Sequence, residues 1–321
     1  MGLLLEAVTR MKTNEIKNIL ICGAGMMGKN IAFVFASNPN FKVGVYDLYP
    51  TDVEAGIRTN TKQLLDKGVL TEEELSDRLS RIAFTTDIDS ELVSSADFVI
   101  EAVFEDMQVK RDTFAKLEAR CRPETIFCTN SSVMSPSEIS RDLTYRERFV
   151  GTHFWNPGHL IPLVEVIKSD ASSDDVAQTV MDVLASVGKE PVLCKKDVPG
   201  FIANRMQHAL WREAISIVER GIADAATVDK AVKYSFGLRL PQLAPMENAD
   251  MVGTDLTYNI HDYILKDLED SHEPSPLLKK LRDEGKLGFK TGEGFQTWTA
   301  EETAASNAAL NEYLIRMLYG K

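Results

Sequence analysis

The sequence predicts an α/β chain: an open, doubly wound sheet with helices on both faces, followed by a half built almost wholly of helices. Three observations carry this. Apolar runs of strand length alternate with helical stretches, the first run passes through a glycine-rich turn into a helix, and beyond Pro199 strands all but vanish. The divisions that follow are an extension over 1–13, a sheet-bearing domain over 14–198 and a helical domain over 199–321.

The first strand, 16–22, ends in Gly23-Ala-Gly25-Met26-Met27-Gly28 and leads to a helix over 29–36 that stops at Ser37-Asn38-Pro39. In this setting Gly23 permits the tight turn, Gly25 lets a pyrophosphate approach the backbone at the helix N-terminus, and Gly28 lets the helix pack closely on the strand. The second strand, 41–47, ends in Asp47, a little over 20 residues past Gly23, where an acid accepts ribose hydroxyls. Its charge repels a 2′-phosphate and no Arg follows in Asp47-Leu-Tyr-Pro, so NAD is expected over NADP.

Helices over 51–67 and 71–81 come next, the second opened by a capping-box pattern from Thr71 to Glu74. This pair interrupts the strand–helix alternation, and serves either a function or as a surface ornament. Strands at 83–85 and 97–103 follow, then a helix over 109–120. Glu105 and Lys110 lie just past a strand's C-terminal end, which in open α/β sheets faces the ligand crevice; solvated first-turn charges are the other reading. The strand at 126–128 ends in Thr129-Asn130-Ser131-Ser132, hydroxyls that serve equally well as turn or cap residues.

His153 closes a short apolar run begun by Phe149 and Val150, and Glu165 lies within a strand at 163–167; the turn Asn156-Pro157-Gly158 stands between them. Two strand ends so joined can face each other. A carboxylate on one imidazole nitrogen fixes the tautomer and supports the cation, leaving the other nitrogen to take or give a proton. A surface histidine and an edge-strand glutamate would look the same in sequence. An amphipathic helix over 173–187 and a last strand at 191–194 complete this half.

The helical half reads as 201–219, 226–236, 255–267, 275–284 and 301–318. Its apolar faces exceed what one small helical domain buries, so a homodimer through this half is expected. The net charge of -12 without a dense basic run disfavours nucleic acid. Cys22, Cys121, Cys128 and Cys194 show no C-x-x-C pairing and read as thiols in a reducing cytoplasm, with no metal site expected. No apolar run approaches the roughly 20 residues of a membrane span. The start, with Glu6 where myristoylation requires Ser or Thr, is an extension of unassigned purpose.

Seven stretches in order, 23–28, 101–105 with Lys110, 129–132, Gly151-Thr-His-Phe-Trp-Asn-Pro157, Pro162-Leu-Val-Glu165, 197–204 and 287–295, make the chain similar to the 3-hydroxyacyl-CoA dehydrogenase family over about 16–321. The resemblance implies a Rossmann-like first domain, a helical dimerising second domain and NAD as cofactor. It also implies His153 as base, Glu165 as the carboxylate orienting it, Ser131 and Asn204 as the groups holding the reacting oxygen and the neighbouring carbonyl, and Glu105, Lys110 and Asn156 as contacts on the ribose and nicotinamide side. The expected reaction interconverts an L-3-hydroxyacyl-CoA and its 3-oxo form, with Lys62 and Lys67 of the helical excursion meeting CoA phosphates. Acyl-CoA members commonly carry Val-Pro after Asn-Pro and Met-Lys before Leu-Val-Glu, whereas this chain has Gly158-His159 and Ile161-Pro162. That version looks more like members acting on free β-hydroxy acids such as sugar acids. A non-catalytic structural or sensing protein on the same scaffold is the remaining alternative, although it would not require Ser131, His153, Glu165 and Asn204 together.

Overall fold

The structure, a computed structural model, describes residues 13–321, so the expected N-terminal extension lies outside the described residues except for Thr13. Eight strands, β1 (Asn18–Cys22), β2 (Lys42–Tyr46), β3 (Ile82–Thr85), β4 (Phe98–Glu101), β5 (Ile126–Thr129), β6 (Phe149–Phe154), β7 (Leu163–Lys168) and β8 (Glu190–Cys194), form one sheet. Its order is β3-β2-β1-β4-β5-β6-β7-β8. From β3 to β6 neighbours run parallel, β7 is antiparallel to β6, and β8 parallel to β7. The central strands β4 and β5 are buried along their whole length, which is why they read as continuous apolar runs rather than alternating ones. The order reverses between β1 and β4, so their C-terminal ends open a crevice at the switch point.

The first-half helices are α1 (Met26–Phe35), α2 (Val53–Asp66), α3 (Glu72–Ser80), α4 (Glu91–Ser94), α5 (Met107–Glu118), α6 (Pro136–Ser140) and α7 (Asp174–Ala185). Their starts are fixed locally: Asp52 caps α2, Thr71 and Glu74 close a reciprocal capping box on α3, Asp106 caps α5 and Ser173 caps α7. The short α4 and α6 escape a sequence reading because four or five residues cannot display a 3.6-residue period. Phe35 packs against Phe98 on one face of the sheet, with ring centroids 5.9 Å apart, and Phe114 meets Phe149 edge-on at 4.8 Å on the other. The excursion α2–α3 joins the first of these cores through Ile57, Leu64 and Leu75, and Arg78 lays its guanidinium over Phe33.

The second half comprises α8 (Ala203–Glu219), α9 (Ala225–Lys233), α10 (Phe236–Arg239), α11 (Pro245–Val252), α12 (Thr254–Ile264), α13 (Pro276–Asp283) and α14 (Ala300–Tyr319). By backbone contacts the chain divides into two compact units, 1–202 with 309–321, and 203–308. The first division falls between 202 and 203, and the last residues return to the first unit. That return has a physical cause: Ile315 is buried in the sheet-side core, and Glu312 pairs with Lys67 at 2.6 Å. Within the second unit none of α9 to α13 has a buried residue. No helix among the described residues is long and apolar enough to cross a membrane.

Candidate active site

The antiparallel pairing of β6 and β7 sets His153 directly opposite Glu165. His153 Nδ1 lies 2.8 Å from Glu165 Oε2, with both side chains buried. Opposite an ionised carboxylate Nδ1 carries the proton, so Nε2 is the nitrogen with a free lone pair. Glu165 has further donors: the Trp155 indole at 3.2 Å to the same oxygen, and the Ile202 backbone N–H at 2.9 Å to Oε1. The Ile202 amide is aimed by an unusual turn, Gly200 at φ 76° followed by Phe201 at φ 51°. A left-handed non-glycine costs about 1–2 kcal/mol. It is held by burial of the Phe201 ring, whose centroid is 5.8 Å from that of His153. Asn204 belongs to α8 in the second unit.

A second polar cluster lies at the ends of β4 and β5. Buried Glu101 accepts from Lys110 Nζ at 2.7 Å, from the Thr129 hydroxyl at 2.7 Å and from the Val103 amide at 2.8 Å. Lys110 also pairs with Glu105 at 3.1 Å. Lys110 is thus a fully buried cation between two carboxylates, and the reading of it as a solvated first-turn lysine does not hold. Burial pushes the Glu101 carboxyl up against the pull of Lys110. Burial acts the same way on Glu105, but the Ser131 hydroxyl, Lys110 and the Ser132 amide outweigh it and leave its carboxyl below the usual range. Ser131 Oγ donates to Glu105 and accepts from the Met134 amide at 2.9 Å. The whole group hangs on Glu101 and Thr129, which lie in stretches the sequence reading quotes but to which it gives no role in the site; a Glu closing an apolar strand was the available signal.

At the glycine turn, the Asp47 carboxylate accepts from the Ala24 amide at 2.6 Å and from the Tyr49 amide at 3.1 Å. Gly23 has φ 109°, which disfavours any side chain, and a Cβ on Gly28 would lie 1.8 Å from the Gly23 carbonyl oxygen. A Cβ on Gly25, by contrast, would meet no protein atom within 4 Å. Met26 and Met27 form the first helical positions of α1, and Met26 is exposed. The turn thus leaves the N-terminus of α1 open beside an acid at the end of β2, an arrangement that fits a dinucleotide.

The loop between β6 and β7 begins with exposed Asn156, whose peptide to Pro157 is cis. It is pinned by Lys189, which donates to the Gly158 carbonyl at 2.7 Å and the Ile161 carbonyl at 2.8 Å. Burial lowers Lys189 to about 8, and burial with Lys189 nearby lowers His159 to about 4, so His159 is neutral at physiological pH. Gly158 rests on α1: an added Cβ would come within 3.3 Å of Met27 Cε and Asn30 Cβ. Lys62 is engaged by Asp66 at 2.6 Å and Lys67 by Glu312.

An open helix N-terminus beside Asp47 and a buried His–carboxylate pair are groups that a nicotinamide-dependent oxidoreductase acting on a CH–OH group requires. Comparison with known proteins makes the assignment narrower: residues 18–198 match the NAD binding domain of 3-hydroxyacyl-CoA dehydrogenase and residues 200–298 its C-terminal domain. The chain belongs to the 3-hydroxyacyl-CoA dehydrogenase family, with NAD as its cofactor and a small molecule as its substrate. It is 33% identical over 95% of its length to a 5-formyl-3-hydroxy-2-methylpyridine 4-carboxylate 5-dehydrogenase of Mesorhizobium japonicum, 99% of which is covered. A probable 3-hydroxybutyryl-CoA dehydrogenase of Bacillus subtilis is 37% identical over 88% of this chain and 97% of its own. Among solved structures, a 5-formyl-3-hydroxy-2-methylpyridine 4-carboxylic acid 5-dehydrogenase, described as an NAD+ dependent dismutase, superposes with a TM-score of 0.86 at 33% identity, covering 95% of this chain and 99% of that one.

Proposed function

We propose that the chain oxidises the hydroxyl of a free hydroxy carboxylic acid, with His153 as the base. The observation that carries the acid–base reading is the buried 2.8 Å bond between His153 Nδ1 and Glu165. NAD, when bound, supplies the hydride acceptor. His153 Nε2 takes the hydroxyl proton, and Glu165 stabilises the imidazolium that results. Ser131 already donates to Glu105, so toward the substrate it can only accept, which suits the alcohol form. Asn156, an amide, supplies a donor on the nicotinamide side.

The preference for a free acid over a CoA thioester rests on the C-terminal segment. Residues 309–321 pack on the first unit, and Glu312 takes up Lys67 of the region where acyl-CoA members would hold the nucleotide end of their substrate. Pro162 stands where acyl-CoA members commonly carry a lysine. Assays with 3-hydroxybutyryl-CoA, free 3-hydroxybutyrate, gulonate and hydroxylated pyridine carboxylates test this. At least one free acid is expected to exceed the thioester by about tenfold or more in kcat/KM; a thioester turned over faster than every free acid overturns it.

The same reading includes a homodimer through the second unit. Tyr263 is 86% exposed, Leu238 75% and Met246 74%, and a groove of about 890 Å³ is lined by Trp211, Ile215, Phe289, Phe295 and Trp298. A unit of this size whose middle helices bury nothing needs a second apolar surface, and a second copy supplies one. Sedimentation at micromolar concentration is expected to give twice the 35.7 kDa chain mass. A monomer under those conditions refutes the dimer.

A further inference from the structure

We propose that Trp155 is a positioning residue of the reaction: its indole N–H holds the Glu165 carboxylate in place against His153. This rests on the acid–base reading of His153 and Glu165 above. Side chains alternate along an extended chain, so Trp155, just past the end of β6, falls on the same side as His153 two residues earlier. Both rings reach the same oxygen, His153 Nδ1 at 2.8 Å and Trp155 Nε1 at 3.2 Å, with centroids 5.3 Å apart. The Ile202 amide takes the other oxygen. Rotation of the carboxylate about its terminal torsion, a soft degree of freedom, would carry Oε2 away from the imidazole. The indole resists that rotation, and by drawing charge from Oε2 it also moderates the basicity that Glu165 confers on the imidazole.

Phenylalanine at this position would keep an apolar ring and lose only the donor, so the indole nitrogen is the feature to test. Other titratable groups lie near the pair. Besides Glu165 on β7 there is Cys194 at the end of β8, whose thiol is pushed up by burial and stays neutral, and Asp197 beyond it, engaged by Ser135 and the Ser137 amide.

Trp155→Phe is therefore expected to lower kcat by about 3- to 10-fold, the range for the net contribution of one typical hydrogen bond. KM for NAD should be unchanged. The acidic limb of kcat/KM against pH in the oxidation direction, where protonation of the imidazole removes the base, should move to higher pH, because Oε2 relieved of the indole is a stronger partner for the imidazolium. In a Glu165→Gln background the same change should have little further effect. A limb at the same or a lower pH, or a loss of rate that multiplies fully through Glu165→Gln, overturns the proposal. Should Trp155→Phe fold poorly, biosynthetic replacement of the tryptophans by 5-fluorotryptophan makes the N–H more acidic. That replacement should move the limb down, and an unmoved limb is again fatal to the proposal. His153→Ala separates the two levels of inference. If that variant keeps near-normal turnover the base assignment and this proposal fall together; if it is inactive and Trp155→Phe is silent, only the role of Trp155 fails.

Discussion

His153→Gln is expected to lower kcat by roughly 10²–10⁴-fold while leaving NAD affinity nearly intact, the usual loss for a positioned acid–base group. Glutamine keeps a donor toward Glu165 but offers no nitrogen of useful basicity where Nε2 stood. The neighbours, buried Phe201 and the Trp155 indole and Ile202 amide that donate to Glu165, stay in place, so the loss falls on chemistry rather than on folding. Steady-state rates with NAD titrated by fluorescence decide the matter. Turnover within a few-fold of the parent protein would remove His153 from the reaction. Glu165→Gln should be milder or equal in effect, because the tautomer can still be held by the amide oxygen.

The glycine turn gives the other large effect, and here two substitutions of the same size should separate. In Gly28→Ala the new methyl would sit 1.8 Å from the Gly23 carbonyl oxygen, so α1 must move off β1. The expected outcome is a stability loss of about 1–3 kcal/mol or more together with NAD affinity weakened beyond measurement. Gly25→Ala meets no protein atom within 4 Å and adds no backbone strain, since Gly25 sits at φ -69°. It should melt like the parent protein and still lose about 100-fold or more in NAD affinity, because its methyl occupies the approach of the pyrophosphate to the helix N-terminus. Thermal melts and NAD titrations of the pair check both statements. Unchanged NAD binding by Gly25→Ala would show that the cofactor does not pass over this residue.

How much of this was legible in the sequence depends on whether the signal was local. The strand–glycine turn–helix start, Asp47 and the strands around His153 and Glu165 are all written in short runs, and the parallel sheet appears where those runs are continuously apolar. The His153–Glu165 contact was readable because two strands joined by a turn admit few pairings. Lys110 was harder: on the surface of an amphipathic helix a lysine reads as solvated, and only the three-dimensional closeness of Glu101 and Glu105 turns it into a buried ion. The return of residues 309–321 to the first unit could not be read at all, since Ile315 joins the core of the sheet-bearing unit and Glu312 finds Lys67 245 residues away. Trp155 was quoted within a motif yet not assigned, because nothing in sequence distinguishes an indole that donates from one that merely packs.

The register of β6 against β7 has a consequence for how such a protein can change over time. The His153–Glu165 pair is fixed by backbone rungs on either side of it, from Val150 opposite Lys168 to Phe154 opposite Val164, and not by the loop that joins the strands. Insertions, deletions or exchanges among residues 156–162 can therefore accumulate without drawing the imidazole from its carboxylate, provided the ladder keeps step. The rungs that hold the pair and the Gly158-His159 segment are thereby separate parts of the chain, and the second can differ in length or sequence without moving the first.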